Sequence, residues 1–104
     1  MARMVVIWRR PKDTKSFDEH YFGTHVPLAK KLPGLREYEV SSGPIAILND
    51  APPDTYLISM LHFDSLDAIK RAFAGPEGEA CARDRQLLAS SVAVQTCLFD
   101  DRDV

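Results

Sequence analysis

A proline sits inside the strongest helix signal of this chain, and that conflict limits what the chain can fold into. The stretch Lys12–Tyr38 reads KDTKSFDEHYFGTHVPLAKKLPGLREY. Ser16 and Glu19 have capping-box spacing: the Ser16 hydroxyl can accept from the Glu19 N–H, and the Glu19 carboxylate from the Ser16 N–H. Asp18 and Glu19 also suit the positive end of a helix dipole. At about 100° per residue, Phe17, Tyr21, Thr24, Leu28 and Leu32 fall on one face, which should pack on a sheet. Pro27 cannot donate to the Gly23 carbonyl and its ring crowds that oxygen, so a kink or break is expected near Thr24–Val26. Gly23 gives the chain room there, and Leu32-Pro33-Gly34 is a hard stop.

His25 falls at this fault, on the edge of the apolar stripe. Two readings stand. The irregular helix could be the wall of a small-molecule site, with His25 lining it. Or His25 could bond the freed carbonyl and hold the kink.

The rest of the chain alternates strands with helices. Met4–Trp8 (MVVIW) is a short apolar, β-branched run of the kind buried on both faces, ended by Arg9-Arg10-Pro11. Leu35–Ser42 alternates as a second strand, with Tyr38 and Val40 on one face and Glu37 and Glu39 on the other. Ile45–Leu48 could continue it beyond a Gly43-Pro44 bulge, and NDAPPD (49–54) is a loop. Thr55–Phe63 is a third strand, apolar on both faces, with His62 on the side of Tyr56, Ile58 and Met60. Ser65 caps a second helix with Leu66, Ile69 and Phe73 inward. Pro76 opens a short third helix. Ser91–Phe99 is the last strand, and the tail DDRDV reads as loose.

The order βαββαβ predicts a single domain over residues 1–104: a ferredoxin-like α+β sandwich with helices on one face of an antiparallel sheet. Strands one, three and four are apolar on both faces, and helices can cover only one. A bare apolar sheet face is rare on a lone domain. A two-fold homodimer closing into a barrel-like core is therefore expected.

A formal charge of −2 on 104 residues, with the basic residues scattered, argues against a nucleic-acid surface. No apolar run is long enough for a membrane span. Two cysteines, Cys81 and Cys97, without a C-x-x-C pairing suggest plain thiols and a cytoplasmic setting.

The string RRP…SFDEHYFGTHVPLAKKLPGLREYEV resembles the EthD-like group of dimeric α+β barrel proteins. The matching residues are Arg9-Arg10-Pro11, Phe17, Tyr21, His25, Pro27, Leu28, Pro33-Gly34-Leu35-Arg36 and Tyr38. FDSLDAIKRAFAGPEGEA looks like that family's second helix and its following turn. The group includes a protein tied to ethyl tert-butyl ether degradation and a cofactor-free methylmuconolactone isomerase. Relatives of the barrel include quinone-forming monooxygenases, polyketide cyclases and haem-degrading enzymes. The resemblance thus implies the fold strongly and the reaction weakly. In the isomerase a helix histidine and a strand tyrosine line the pocket, which implies site roles for His25 and Tyr38. Its mid-chain histidine and cysteine are matched here by His62 alone.

His25 can move a proton near neutral pH, and Tyr38 can donate to a carbonyl or enolate oxygen. Trp8, Tyr56, Met60 and His62 are the expected walls of the substrate pocket. Together these residues suit isomerisation, cyclisation or elimination on a small hydrophobic oxygenated metabolite, such as a lactone or aromatic intermediate, with no cofactor. The alternatives are a non-catalytic ligand-binding or accessory protein and a cofactor-free or haem-using monooxygenase. No metal site is expected: His20 and His25 lie about 140° apart on an unbroken helix. No phosphate loop, dinucleotide fingerprint or nucleophile elbow is present.

Overall fold

The structure, a computed structural model, describes residues 1–49 and 54–104. Most of the expected loop at 49–54 lies outside the described residues. Strand β1 spans Ala2–Arg9, β2 Glu37–Val40, β3 Thr55–Phe63 and β4 Val94–Asp100. They form one antiparallel sheet in the order β2-β3-β1-β4. This is the ferredoxin-like α+β arrangement, with the two halves of the chain interleaved at the centre.

Along β1 the even residues Ala2, Met4, Val6 and Trp8 are buried, whereas Arg3, Val5, Ile7 and Arg9 are half-buried. Leu57, Ser59, Leu61 and Phe63 of β3 share the buried face, since Val6 pairs with Ser59 and Met4 with Leu61. Ile58 and Met60 face the other way with Val5 and Ile7. Period-two alternation thus gives a helix face and an open face.

The first helix, α1 (Thr14–His20), begins two residues before the expected cap. Asp13 is the N-cap, with φ −116°, and its carboxylate accepts from Ser16 N at 3.0 Å. Ser16 therefore lies inside the first turn; aspartate caps as well as serine does, and here it comes first in the chain. At Tyr21–His25 the helix widens into a single π-helical turn, where the Val26 N–H reaches the Tyr21 carbonyl. A short helix α2 (Val26–Ala29) then resumes, with Pro27 inside its first turn, where a missing N–H costs little. The expected fault is present, and its form is a wide turn rather than a sharp kink.

Other expectations change in detail. β2 is shorter than Leu35–Ser42, and Ile45–Leu48 is not a strand. The Ser41 hydroxyl takes the Ile58 N–H at 3.0 Å, and Gly43, at φ +74°, turns the chain away before Pro44. Helix α3 (Leu66–Ala74) is capped by Ser65, whose hydroxyl accepts from Ala68 N at 3.0 Å. The expected short third helix is a full fourteen-residue helix, α4 (Pro76–Ala89). No breaker interrupts it, and its side carrying Cys81, Asp84 and Leu88 is buried. The tail is tied down in part: Arg3 Nε donates to Asp101 at 2.9 Å, and Asp101 N to the Met1 carbonyl at 3.1 Å.

The core runs between the helices and the even-numbered face of β1. Trp8 and Phe63 are wholly buried, with Tyr21, Ile69, Ala72 and Leu88 around them. Each such large apolar side chain contributes about 1.5–3 kcal/mol. Helices α3 and α4 meet at Gly78. A Cβ there would lie 2.8 Å from the Phe73 carbonyl carbon and closer still to Phe73 Cα and the Ala72 carbonyl oxygen. These are backbone atoms and cannot step aside, so Gly78 fixes the α3–α4 junction. Gly78→Ala is expected to destabilise the fold by about 2 kcal/mol or more through overpacking. Urea denaturation followed by far-UV circular dichroism checks this, with Gly23→Ala as the control, because a Cβ at Gly23 meets nothing within 4 Å.

Candidate active site

The π-helical turn sets the positions of the two histidines of the first helical segment. On an unbroken helix His20 and His25 would point apart. The wide turn brings positions five residues apart to one side, and both imidazoles reach the same carboxylate. His20 Nε2 lies 2.8 Å from Asp84 Oδ1, and His25 Nδ1 lies 2.8 Å from Oδ2. The reading that these histidines do not share a face is corrected by this turn. What they share is an anion, supplied by α4.

Asp84 and His25 are each only 6% exposed. An ionised carboxylate can only accept, so His25 carries its proton on Nδ1 and presents a lone pair at Nε2. Burial pushes the His25 pKa below the usual imidazole range; the Asp84 hydrogen bond and charge act upward without overcoming it. The Arg85 charge adds to the downward push. His25 is thus a neutral, oriented imidazole near neutral pH. The reading in which His25 is bound to a freed backbone carbonyl is not what the side chain does: its partner is Asp84.

A second polar group lies alongside. The Tyr21 hydroxyl shares hydrogen bonds with the Tyr38 hydroxyl at 2.6 Å and with Ser59 Oγ. Burial raises the pKa of both phenols; Tyr21 pushes Tyr38 further up, whereas the hydrogen bonds with Ser59 and Tyr38 pull Tyr21 back without overcoming burial. Both therefore act as O–H groups. The rings of Tyr21 and His25 lie 5.4 Å apart, and Trp8 stands edge-on to both, 6.0 Å from Tyr21 and 6.3 Å from His25.

Trp8 Nε1 has no hydrogen-bond partner, alone among the fully buried side-chain nitrogen and oxygen atoms of the described residues. An orphaned buried donor costs about 1–3 kcal/mol and calls for an explanation. Trp8, Tyr21, His25, Tyr38 and Ser59 all line one small void between helices and sheet, closed by Phe73, Cys81 and Arg85. Its free volume is about 10 Å³, room for about one water. Burial raises the pKa of the Cys81 thiol, so it is a packing group here.

Of the six residues singled out from sequence, His25, Tyr38 and Trp8 meet at this void. The other three do not. Met60 and His62 lie on the open face of the sheet, because β3 alternates and Ser59 takes the helix side. His62 Nε2 is 2.6 Å from Glu39 Oε1 there, and Glu37, Glu39 and His62 bring their ligand-type atoms within 4.8 Å of one another. Tyr56 sits at a register shift between β1 and β3. The extra residue turns its ring onto Phe17 of α1, 5.7 Å away, and its hydroxyl donates to Asp18 at 2.9 Å. It borders a separate cleft of about 580 Å³ with Arg10, Asp18 and Phe22, which reaches neither His25 nor Tyr38. Sequence reading missed Asp84, Ser59 and the polar role of Tyr21. Asp84 had a signal: it falls at helical spacing between Cys81 and Leu88, a charge on an apolar stripe.

Fold and site together define a ferredoxin-like α+β domain with a buried histidine–carboxylate pair between its helices and its sheet. The EthD domain model matches residues 9–91, and the chain belongs to the EthD family. It is 35% identical over 103 residues to an uncharacterized 11.0 kDa protein from the thcB–thcC intergenic region of Rhodococcus erythropolis, covering 99% of this chain and 96% of that one. Its backbone matches an EthD-family protein of Bacillus halodurans with a TM-score of 0.82 at 26% identity, covering 98% of this chain and 99% of that one. It also matches SnoaB, a cofactor-independent oxygenase of Streptomyces nogalater, with a TM-score of 0.66 at 16% identity over 99% and 94% of the two chains. This last likeness is one of fold. Among the described residues no helix is long and apolar enough to cross a membrane.

The site has a consequence for stability. Because the folded pKa of His25 lies below its unfolded value, the unfolded chain holds more protons between the two. This contribution is complete above about pH 6.5, the unfolded value, and is lost as the pH falls through the folded pKa. Histidine NMR is expected to show the His25 ring titrating below that value, and further down in Asp84→Asn, which removes the upward influence. A His25 titration at or above about 6.5 in the native protein would contradict the burial argument.

Proposed function

We propose that this protein is a small enzyme that moves a proton on a hydrophobic oxygenated metabolite, with His25 Nε2 as the base and no cofactor taking part. The observation that carries the proposal is the pairing of an oriented, neutral histidine with an orphaned donor, Trp8 Nε1–H, around one void. A base beside an unpaired donor is what enolisation requires. His25 removes a proton next to a carbonyl while a fixed N–H meets the negative charge that develops on oxygen. The Tyr38 hydroxyl, kept protonated by burial, is a second donor for that oxygen. Asp84 touches no substrate in this scheme: it holds the imidazole in one tautomer and stabilises it once protonated. Return of the proton to another carbon of the same molecule completes an isomerisation, and loss of a leaving group completes an elimination.

An unsaturated five-membered lactone tests the scheme, because its double bond moves by this route. With α-angelica lactone in deuterium oxide, the protein is expected to speed proton exchange and double-bond migration, followed by NMR. His25→Ala is expected to lower the rate about 10²–10⁴-fold, and Trp8→Phe, which keeps most of the packing, about 10²-fold. The rate should fall as the pH drops through the lowered His25 pKa, since the base must be unprotonated. Full activity in His25→Ala sinks the proposal.

The open sheet face supports a homodimer as the working form. Val5, Ile7, Ile58 and Met60 lie there together, half-buried and uncovered by any helix, and such a patch suits a second copy. Native mass spectrometry is expected to give a dimer for the wild type and a monomer for Val5→Glu. A wild-type monomer at micromolar concentration would contradict this.

A further inference from the structure

The void around His25 is too small for an organic substrate, yet it is not isolated. Met4, Phe73 and Arg85 line both it and a larger cleft. That cleft, between α3, α4 and the outer edge of β4, has a volume of about 320 Å³. This lies within the range of small-molecule sites, about 300–1,000 Å³. Its apolar floor is Met4, Ile69, Phe73 and Leu98, and its two cations are Lys70 and Arg85. Leu98 is half exposed, so the floor is not sealed.

Arg85 is half-buried, and among the described residues neither it nor Lys70 pairs with a carboxylate within 4 Å. The neighbouring carboxylate, Asp84, is turned inward and fully engaged by the two histidines. Two cations on an apolar floor, without an anion of the protein's own, make a site with unmet charge. Phe73, half-buried, lines both the cleft and the void, as do Met4 and Arg85.

We propose that this cleft binds the carboxylate of the substrate, so that the substrate class is a small apolar organic acid. Arg85 and Lys70 hold the acid group, the hydrocarbon body lies along Met4, Ile69 and Leu98, and the reacting carbonyl passes Phe73 to reach His25. Arg85 is thereby a specificity-determining residue of the site assigned above, and the inference rests on that assignment for the role of the void. The cations also attract the acid from solution, an effect that salt weakens.

The chain has one tryptophan, Trp8, and it lines the void, so its fluorescence reports a molecule arriving there. The probes are cyclohexanecarboxylate and its neutral counterpart, cyclohexanecarboxamide, with calorimetry alongside. The wild type is expected to bind the acid at least about tenfold more tightly than the amide, which corresponds to about 1.4 kcal/mol. Arg85→Gln should bring that ratio near one while leaving the amide affinity unchanged. Lys70→Glu, at an exposed position, should weaken acid binding several-fold and leave the fold untouched. It carries the test alone if Arg85→Gln loses its circular dichroism. The inference is overturned if acid and amide bind alike, if neither binds at about 50 mM, or if the preference survives the substitution. Binding is read without turnover, so the two proposals fail separately. Turnover retained in His25→Ala removes the base, and acid preference retained in Arg85→Gln removes the cleft.

Discussion

One buried carboxylate ties the first helical segment of this protein to α4. Asp84 reaches from α4 across the helix layer and accepts from His20 on α1 and His25 at the end of the wide turn. An anion with so little contact with water costs several kcal/mol in desolvation unless donors surround it. Here the two donors come from a segment that a regular helix could not have presented. The π-helical turn and Asp84 therefore depend on each other. Without the turn the carboxylate would lose a partner, and without the carboxylate the turn would lose the bond that rewards its irregular backbone. Pro27 favours the same outcome from the chain side, since a regular helix would have no donor at that position.

Around this pair the polar groups of the core are unequally served. Tyr21, Tyr38 and Ser59 satisfy one another in a compact set of hydroxyls, which anchors the helix to β2 and β3. His25 is served at one nitrogen by Asp84. Trp8 is not served at all at its indole nitrogen. A core selected for stability alone would place Phe at that position, or a carbonyl opposite it. The deficit is concentrated on a ring that stands edge-on to both Tyr21 and His25, where a bound oxygen atom would make it good.

The order of elements along the chain was legible because two kinds of signal agreed: strand runs of period two or continuous apolar character, and caps such as Ser65. Thr55–Phe63 was legible to the residue. Boundaries failed where a side chain competes with the backbone. Asp13 displaced Ser16 as a cap, and the Ser41 hydroxyl ended β2 early. The candidate site was legible in part. His25 stood out as a histidine at a helix fault, Tyr38 through the family resemblance, and Trp8 as an expected pocket wall. Met60 and His62 were misplaced in the pocket for a specific reason. Alternation says which residues share a face, but pairing between strands decides which face meets the helices. Tyr56 escaped alternation altogether because a register shift adds one residue there. Asp84 was missed because a charged side chain on a helix reads as solvated, and only the packing shows that the side of α4 carrying Cys81, Asp84 and Leu88 is the buried one.

The central strands carry two messages in alternate letters. Even residues of β1 and odd residues of β3 build the cavity wall, and the residues between them build the opposite surface. The partition between the two is a single layer of backbone, so Ser59, bound to Tyr21, is the immediate neighbour of Met60 on the outside. Whatever comes to rest against the outer surface lies one peptide unit from the hydroxyl cluster. The sequence can drift on one side of that partition while the other is held constant, but the backbone cannot shift for one side alone.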